Sequence, residues 1–399
     1  MKKFIIILLL TELYSGIYGQ STFDYLLKSK ALIEAGNTDQ SISILSDAIN
    51  IKADYRLYLE RASAYIKKSN LIQAISDFEA ADKIEESSGS YGLARVYALK
   101  KDAKTALNYL GLNLNSAYKR DEKEIMLDPA FSLIENTPEW RLFWKTERYS
   151  LFETGLSELE YEVSVGNSEA AEIQLNSLVA NNPDESGLIY AKALLAYSKK
   201  NFQQTIDLLA DVKPSKYVEK SLMLRAKTQY NTTKYAEGAL TYSELIKLEI
   251  VDPNLYYLRG ECYDKAGGKE RALSDISHYL NLYPESVKAL SLAGKIEAES
   301  GDNIKALELF SKNISLHPAV PENYIDRANS YFSSSAWKYA VEDYSMALDL
   351  QPGNPEVYLN KGIALIHLGN IDDACHDLRQ ALKLGNKKAT AYISKYCIK

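Results

Sequence analysis

Four basic residues each precede an aspartate by 16 positions: Arg61 and Asp77, Arg259 and Asp275, Arg327 and Asp343, Lys361 and Asp377. A row of cations could hold anions. The same row, paired with carboxylates, would instead tie neighbouring elements in register, each exposed pair contributing about 0–1 kcal/mol. The pairing reading is the simpler one, because a stretch that lacks the aspartate can also lack the base, as at Ala293 and Leu309. Imidazole chemistry has four candidates, His278, His317, His367 and His376, the last two flanking Asp372 and Asp373. Zinc wants about three or four convergent ligands, and a solvated turn accounts for the same residues, so no metal site is expected. No H-E-x-x-H, G-x-S-x-G, phosphate loop or C-x-x-C occurs. No catalytic residue, no cofactor and no enzyme activity are expected.

The elements that position these residues recur with one period. Tyr256-x3-Gly260-x2-Tyr263, Leu290-x3-Gly294, Tyr324-x3-Ala328-x2-Tyr331 and Tyr358-x3-Gly362-x2-Leu365 align with one another. Alanines follow at 272, 306, 340 and 374, and prolines close three units at 284, 318 and 352, each step being 34 residues. A period of about 20–50 residues means stacked supersecondary units. The pattern resembles the tetratricopeptide repeat, through an aromatic and a small residue in a first helix, then Ala340 with Tyr344 in a second, then Pro352. The resemblance implies an all-α fold, a right-handed α-solenoid of stacked helix–turn–helix repeats. It also implies protein binding, although a fold alone does not name a function.

Residues 1–19 read as a secretory signal peptide, with basic Lys2 and Lys3, an apolar run from Phe4 to Leu10, and Ile17-Tyr18-Gly19 before Gln20. The alternatives are a membrane anchor or an ordinary first helix, but seven apolar residues fall short of the roughly 20 that span a bilayer. An N-terminal array is expected over residues 20–112, with clear repeat positions at Tyr58, Ala62, Tyr65, Ala74, Phe78 and Ala81. The register is lost over 113–150, where Lys119-Arg120-Asp121-Glu122-Lys123-Glu124 precedes Asp128-Pro129-Ala130-Phe131 and Pro138-Glu139-Trp140. This segment resembles the short extension that closes some tetratricopeptide arrays, and Trp140 and Trp144, four apart, would share one helix face. A second array is expected over 151–386, with a terminal capping helix over 387–399, giving roughly ten helix pairs on a period of 34.

Net charge is −6, and removal of residues 1–19 takes away Lys2, Lys3 and Glu12. The mature chain is therefore slightly more acidic, which argues against nucleic acid, whose footprint is a basic patch. The 30 tyrosines raise the alternative of a glycan-binding surface. However, Tyr25, Tyr58, Tyr65, Tyr97, Tyr242, Tyr256, Tyr263, Tyr324, Tyr331, Tyr344 and Tyr358 fall at helix-packing positions of the repeat. The ending Ala374-Cys375 … Tyr396-Cys397 looks like the closing unit of exported bacterial tetratricopeptide proteins, which implies a Cys375–Cys397 disulfide. Closing such a loop would add roughly 3 kcal/mol; two separate buried thiols are the other reading. Cys262 is expected to be a buried thiol.

In this family the first helices line a concave face. At i, i+3, i+7, i+10 the lining is expected to include Tyr257, Glu261 and Asp264, then Lys288, Ser291 and Lys295, then Ile325, Asn329 and Phe332, then Leu359 and Ile363. That groove would turn from charged to apolar toward the C-terminus, with Ile363 and Ile366 either open to a partner or packed beneath the terminal helix. A family subset grips a C-terminal carboxylate with lysine and asparagine one turn apart; here Ile325 precedes Asn329, so that clamp is not matched. The expected function is a non-enzymatic scaffold or assembly factor, exported to the periplasm or outer membrane, with protein partners in the cell envelope and no membrane span. The alternative is an envelope binding protein for a non-protein ligand such as glycan.

Overall fold

A computed structural model describes residues 21–180 and 185–397; the expected signal peptide at 1–19 lies outside the described residues. Every regular element among them is a helix. Ten helix pairs follow one another: α1 (Thr22–Glu34) with α2 (Thr38–Ile51), α3 (Tyr55–Lys67) with α4 (Leu71–Ile84), and α5 (Ser90–Leu99) with α6 (Ala103–Leu114). After an interruption come α9 (Leu151–Ser164) with α10 (Ser168–Ala180), α11 (Glu185–Ser198) with α12 (Phe202–Leu208), and α13 (Val218–Asn231) with α14 (Tyr235–Lys247). The regular repeats follow as α15 (Asn254–Lys265) with α16 (Lys269–Leu282), α17 (Val287–Glu299) with α18 (Asn303–Leu316), α19 (Pro321–Ser333) with α20 (Trp337–Leu350), and α21 (Pro355–His367) with α22 (Ile371–Lys383). The interruption holds α7 (Glu122–Leu127), a 3₁₀ turn (Phe131–Leu133) and α8 (Pro138–Phe143), and α23 (Ala389–Tyr396) ends the chain.

Within a pair, a small residue on the first helix faces a large one 16 positions later. A Cβ on Gly294 would come 2.4 Å from the Phe310 ring, and one on Gly260 2.8 Å from Ile276. Ala328, fully buried, occupies the same position opposite the fully buried Tyr344. The two helices therefore approach at the one place where a larger side chain has no room. The turn between them ends the first helix with a left-handed residue, glycine at 267, 301 and 369 and Ser335 in the intervening repeat, the geometry of a helix C-terminus. After Gly369, for example, the Asn370 N–H donates to the Leu365 carbonyl at 3.0 Å.

The chain divides into two compact units, residues 1–253 and 254–399. The expected boundary at the 113–150 segment is not where the division falls. That segment is fused to the repeats before it: Ile125, Phe131, Ile134 and Trp140 are buried in one cluster with Leu107, Leu110 and Leu114. Thr137 caps α8 with Pro138 in its first turn, and Trp140 meets both Phe131 (5.6 Å) and Trp144 (5.7 Å). The end of the first unit also returns to its beginning. Val251 packs with Leu26, Leu45 and Leu57, its carbonyl accepts from Lys30 Nζ at 2.8 Å, and Arg56 pairs with Glu249. These contacts make 21–253 one body, whatever the local loss of repeat register.

Candidate functional site

In the unit 254–399 the first helices pack on one another in series, α15 on α17, α17 on α19 and α19 on α21. Their alignment rests on the ion pairs seen in the spacing. Arg259 donates to both Asp275 oxygens at 2.7 Å. Arg327 does the same to Asp343 at 2.7 and 2.8 Å, and in the other unit Arg61 donates to Asp77 at 2.8 Å twice. Lys361 reaches Asp377 through one contact of 3.3 Å, and burial pushes the Asp377 carboxyl up despite that ammonium. Arg61 and Arg327 each spend a further N–H on a serine of the preceding second helix, Ser46 at 2.8 Å and Ser311 at 3.1 Å. The pairs therefore bind helix to helix and repeat to repeat, and they do not form a row of open anion sites.

The expected lining residues separate into two groups. At the N-terminal end, Lys288 is exposed and its ammonium lies 4.0 Å from the Tyr257 ring centre. Tyr257 itself is 8% exposed, packs on Tyr279 at 5.5 Å and donates its hydroxyl to Glu261 at 3.2 Å. Burial raises the Glu261 pKa. Asp264 accepts from Lys269 at 2.6 Å. Farther along, Lys295 and Asn329 are exposed and line a cavity of about 260 Å³ with Asp326, Phe310 and Ser333. Asp326, only 7% exposed, is paired with Lys295 at 3.0 Å and accepts from the Ser291 hydroxyl. Asn329 accepts from Tyr344 at 2.7 Å. Asp326 was not among the residues expected to line the groove, because it lies one position off the lining register and only the packing of α17 against α19 turns it into the cavity.

The apolar end of the expected groove is covered. Leu359 is 3% exposed and Ile363 is half-buried; both pack with Ile366, Leu378, Tyr392 and Ile393 beneath α23. Their assignment as open partner-binding residues is corrected accordingly: the terminal helix uses the apolar surface that the last repeat exposes. Phe332 is likewise half-buried, against Trp337 at 5.1 Å. Ile325 packs with Ala328, Tyr344 and Val357 and borders a separate hollow at Pro321, Pro352 and Pro355. Cys375 and Cys397 are joined by a disulfide with their Cα atoms 5.6 Å apart. Cys262 is buried and unbridged, and burial pushes its thiol up to about 12. His367 stacks on Trp337 at 4.1 Å. No helix among the described residues is long and apolar enough to cross a membrane.

The unit 1–253 contains a larger cavity, about 500 Å³, lined by the 119–124 charge run, by α9 and by residues 216–220. Glu153 is its hub. It completes the N-terminal cap of α9 with Ser150 and accepts from Lys119 and Lys216, both at 3.0 Å. The charge run was the only trace of this cavity in the sequence; its partners lie 30 to 100 positions downstream, at separations that differ from one pair to the next.

A family profile described as "Tetratricopeptide repeat" matches residues 55–88 and 355–387. Tetratricopeptide repeat protein 16 of Mus musculus is 25% identical over 39% of this chain and 23% of its own length. Tetratricopeptide repeat protein 13 of Homo sapiens is 28% identical over 37% of this chain and 18% of its own. The chain thus spans less than a quarter of the length of these curated relatives. Among solved structures, a tetratricopeptide repeat protein from Parabacteroides merdae superposes with a TM-score of 0.46 at 18% identity, covering 61% of this chain and 98% of that one. The profile matches, the relatives of the same description and the ten consecutive helix pairs support a tetratricopeptide-repeat protein.

Proposed function

We propose that this protein is a non-enzymatic scaffold or assembly factor of the cell envelope, which holds a segment of a partner protein on the first-helix face of residues 254–399. Tetratricopeptide-repeat proteins generally mediate protein–protein interaction and assembly. One observation carries the choice of face: exposed Lys295 and Asn329 border an open cavity of about 260 Å³ over the buried carboxylate of Asp326. Lys288, Lys295 and Asn329 can exchange internal contacts for contacts to a ligand, whereas Leu359 and Ile363 are already covered. The partner segment is therefore polar and charged where it meets α17 and α19, a helix-face mode of peptide recognition. Export is supported by the basic-then-apolar composition of residues 1–19. The Cys375–Cys397 bridge also suits an oxidising compartment.

The test is site-specific photocrosslinking in intact cells, with the photoreactive residue at Lys295 or Asn329, and at exposed Lys312 on α18 as control. A small, reproducible set of envelope proteins captured from the first two positions and not from Lys312 is expected. Equal capture from all three positions, or none above background, would sink the assignment of this face.

A further inference from the structure

Helix α23 is seated in the register of a first helix. Ala389 follows Pro355 by 34 positions, so Tyr392 and Ile393 repeat Tyr358 and Leu359. Ala389, Tyr392 and Ile393 stand at i, i+3 and i+4, one stripe of a helix, and they pack over Leu359, Ile363, Ile366 and Leu378. The surface of α21 and α22 is thus fitted to an amphipathic helix, and α23 displays the pattern it accepts.

What holds α23 there differs from what holds the other first helices of this unit. Arg259, Arg327 and Lys361 tie α15, α19 and α21 to their second helices through ion pairs, and Lys295 ties α17 to Asp326 on α19. Among the described residues, no side chain of α23 makes an ion pair or hydrogen bond to another element. Polar links stop in the turn before it, where Asn386 donates to Glu356 at 2.8 Å and Lys388 lies 3.7 Å from the same carboxylate. At eight residues, α23 is shorter than the roughly 12–15 that an isolated helix needs, so it loses its helix once it leaves this surface. Its one covalent tether is the Cys375–Cys397 bridge, across a separation of 22 residues. A loop closure of that length makes the released form about a hundredfold rarer. Cys375 is buried and Cys397 only half-buried, so Cys397 Sγ is the sulfur within reach of an attacking thiol.

We propose that the apolar surface of α21 and α22 is a second docking site, for an amphipathic helix of a partner protein, and that the Cys375–Cys397 bridge keeps α23 in it until a dithiol opens the bridge. A thiolate of the dithiol bonds to Cys397 Sγ, and Cys375 leaves as a thiolate and takes a proton. The second thiolate of the dithiol then attacks the mixed disulfide and releases Cys397. Two electrons and two protons pass to the chain, and the dithiol becomes a disulfide. Freed of the bridge, α23 yields to a helix that carries an aromatic and an aliphatic residue three and four positions after a small one. The site is separable from the polar end at Lys295 and Asn329, and either can fail without the other.

Fluorescence anisotropy of the full chain tests it. The probe is a labelled peptide of residues 387–397 bearing Cys397→Ser, with a Tyr392→Ser, Ile393→Ser peptide as control. Saturable binding at least tenfold tighter to the dithiothreitol-reduced chain, and to the Cys375→Ser, Cys397→Ser chain, than to the bridged chain is expected. The control peptide should bind neither. Ile363→Ser in the bridge-free chain should weaken binding about tenfold with the helical circular dichroism unchanged. Ile393→Ser in the same chain should strengthen it severalfold, because the internal competitor is weakened, an effect that loss of folding does not imitate. Equal binding with and without the bridge, no binding to the bridge-free chain, or indifference to Ile393→Ser would each overturn the proposal. Dimerisation of the bridge-free chain in place of peptide binding would put a second copy's α23 in the groove and overturn the partner assignment.

Discussion

At the scale of single residues, the repeat is built on two adjacent 16-residue spacings. One position pairs a small residue with a large one, as Gly294 with Phe310 and Ala328 with Tyr344; the position before it pairs a base with an aspartate, as Arg327 with Asp343. The first sets how closely two helices approach and the second where along their length they meet. Gly294→Ala separates packing from propensity. Alanine in a helix interior is ordinarily better than glycine by up to about 1 kcal/mol. Here its Cβ would fall 2.4 Å from Phe310, and forcing a methyl into a packed core costs about 1–3 kcal/mol. Urea unfolding should show a net loss of stability, and a raised midpoint would refute the packing account.

At the scale of elements, α23 packs on the last helix pair and, among the described residues, is held there by a few apolar contacts and one covalent bridge. Ala389, Tyr392 and Ile393 pack on the last pair, and the Cys375–Cys397 bridge closes a 22-residue separation. Loop closure of that length is worth about 3 kcal/mol. Cys375→Ser with Cys397→Ser should therefore lower stability by about 2–4 kcal/mol. Hydrogen exchange should rise first in α23 and α22 while α15 and α16 stay protected. Uniform loss of protection across residues 254–399 would mean that the bridge does not act through the terminal helix.

At the scale of the whole molecule, acid should act through the cavity hub of the first unit. Burial pushes Glu153 up, but the Ser150 backbone N–H and the ammonium groups of Lys119 and Lys216 outweigh it and hold the pKa at about 2, from an ordinary 4.5. Its folded-state value is depressed, so its contribution is present above pH 4.5 and lost as pH falls toward 2. Asp377 and Glu60, both raised by burial, act in the opposite sense and favour the fold once protonated. Glu153→Gln should reduce stability at pH 7 and meet the parent curve near pH 2, followed by denaturant midpoints across that range. Parallel curves would show that Glu153 is not the group whose titration matters.

The sequence by itself determined the repeat, its helix pairs and the partners in the four ion pairs spaced 16 residues apart. All three are local: a fixed period places Arg259 opposite Asp275, and Gly260 opposite Ile276, wherever the two helices meet. It did not determine which lining residues remain open. Leu359 and Lys295 occupy comparable first-helix faces, yet α23 covers one and nothing among the described residues covers the other. Nor did it show that Glu153 meets Lys119 and Lys216, or that Val251 returns to Leu26 and Leu57. Those contacts join residues 34 to 225 positions apart, with no one separation shared among them. Periodicity fixes neighbours along a solenoid; the curvature summed over many imperfect repeats decides which distant surfaces close on one another, and that sum exists only in the folded chain.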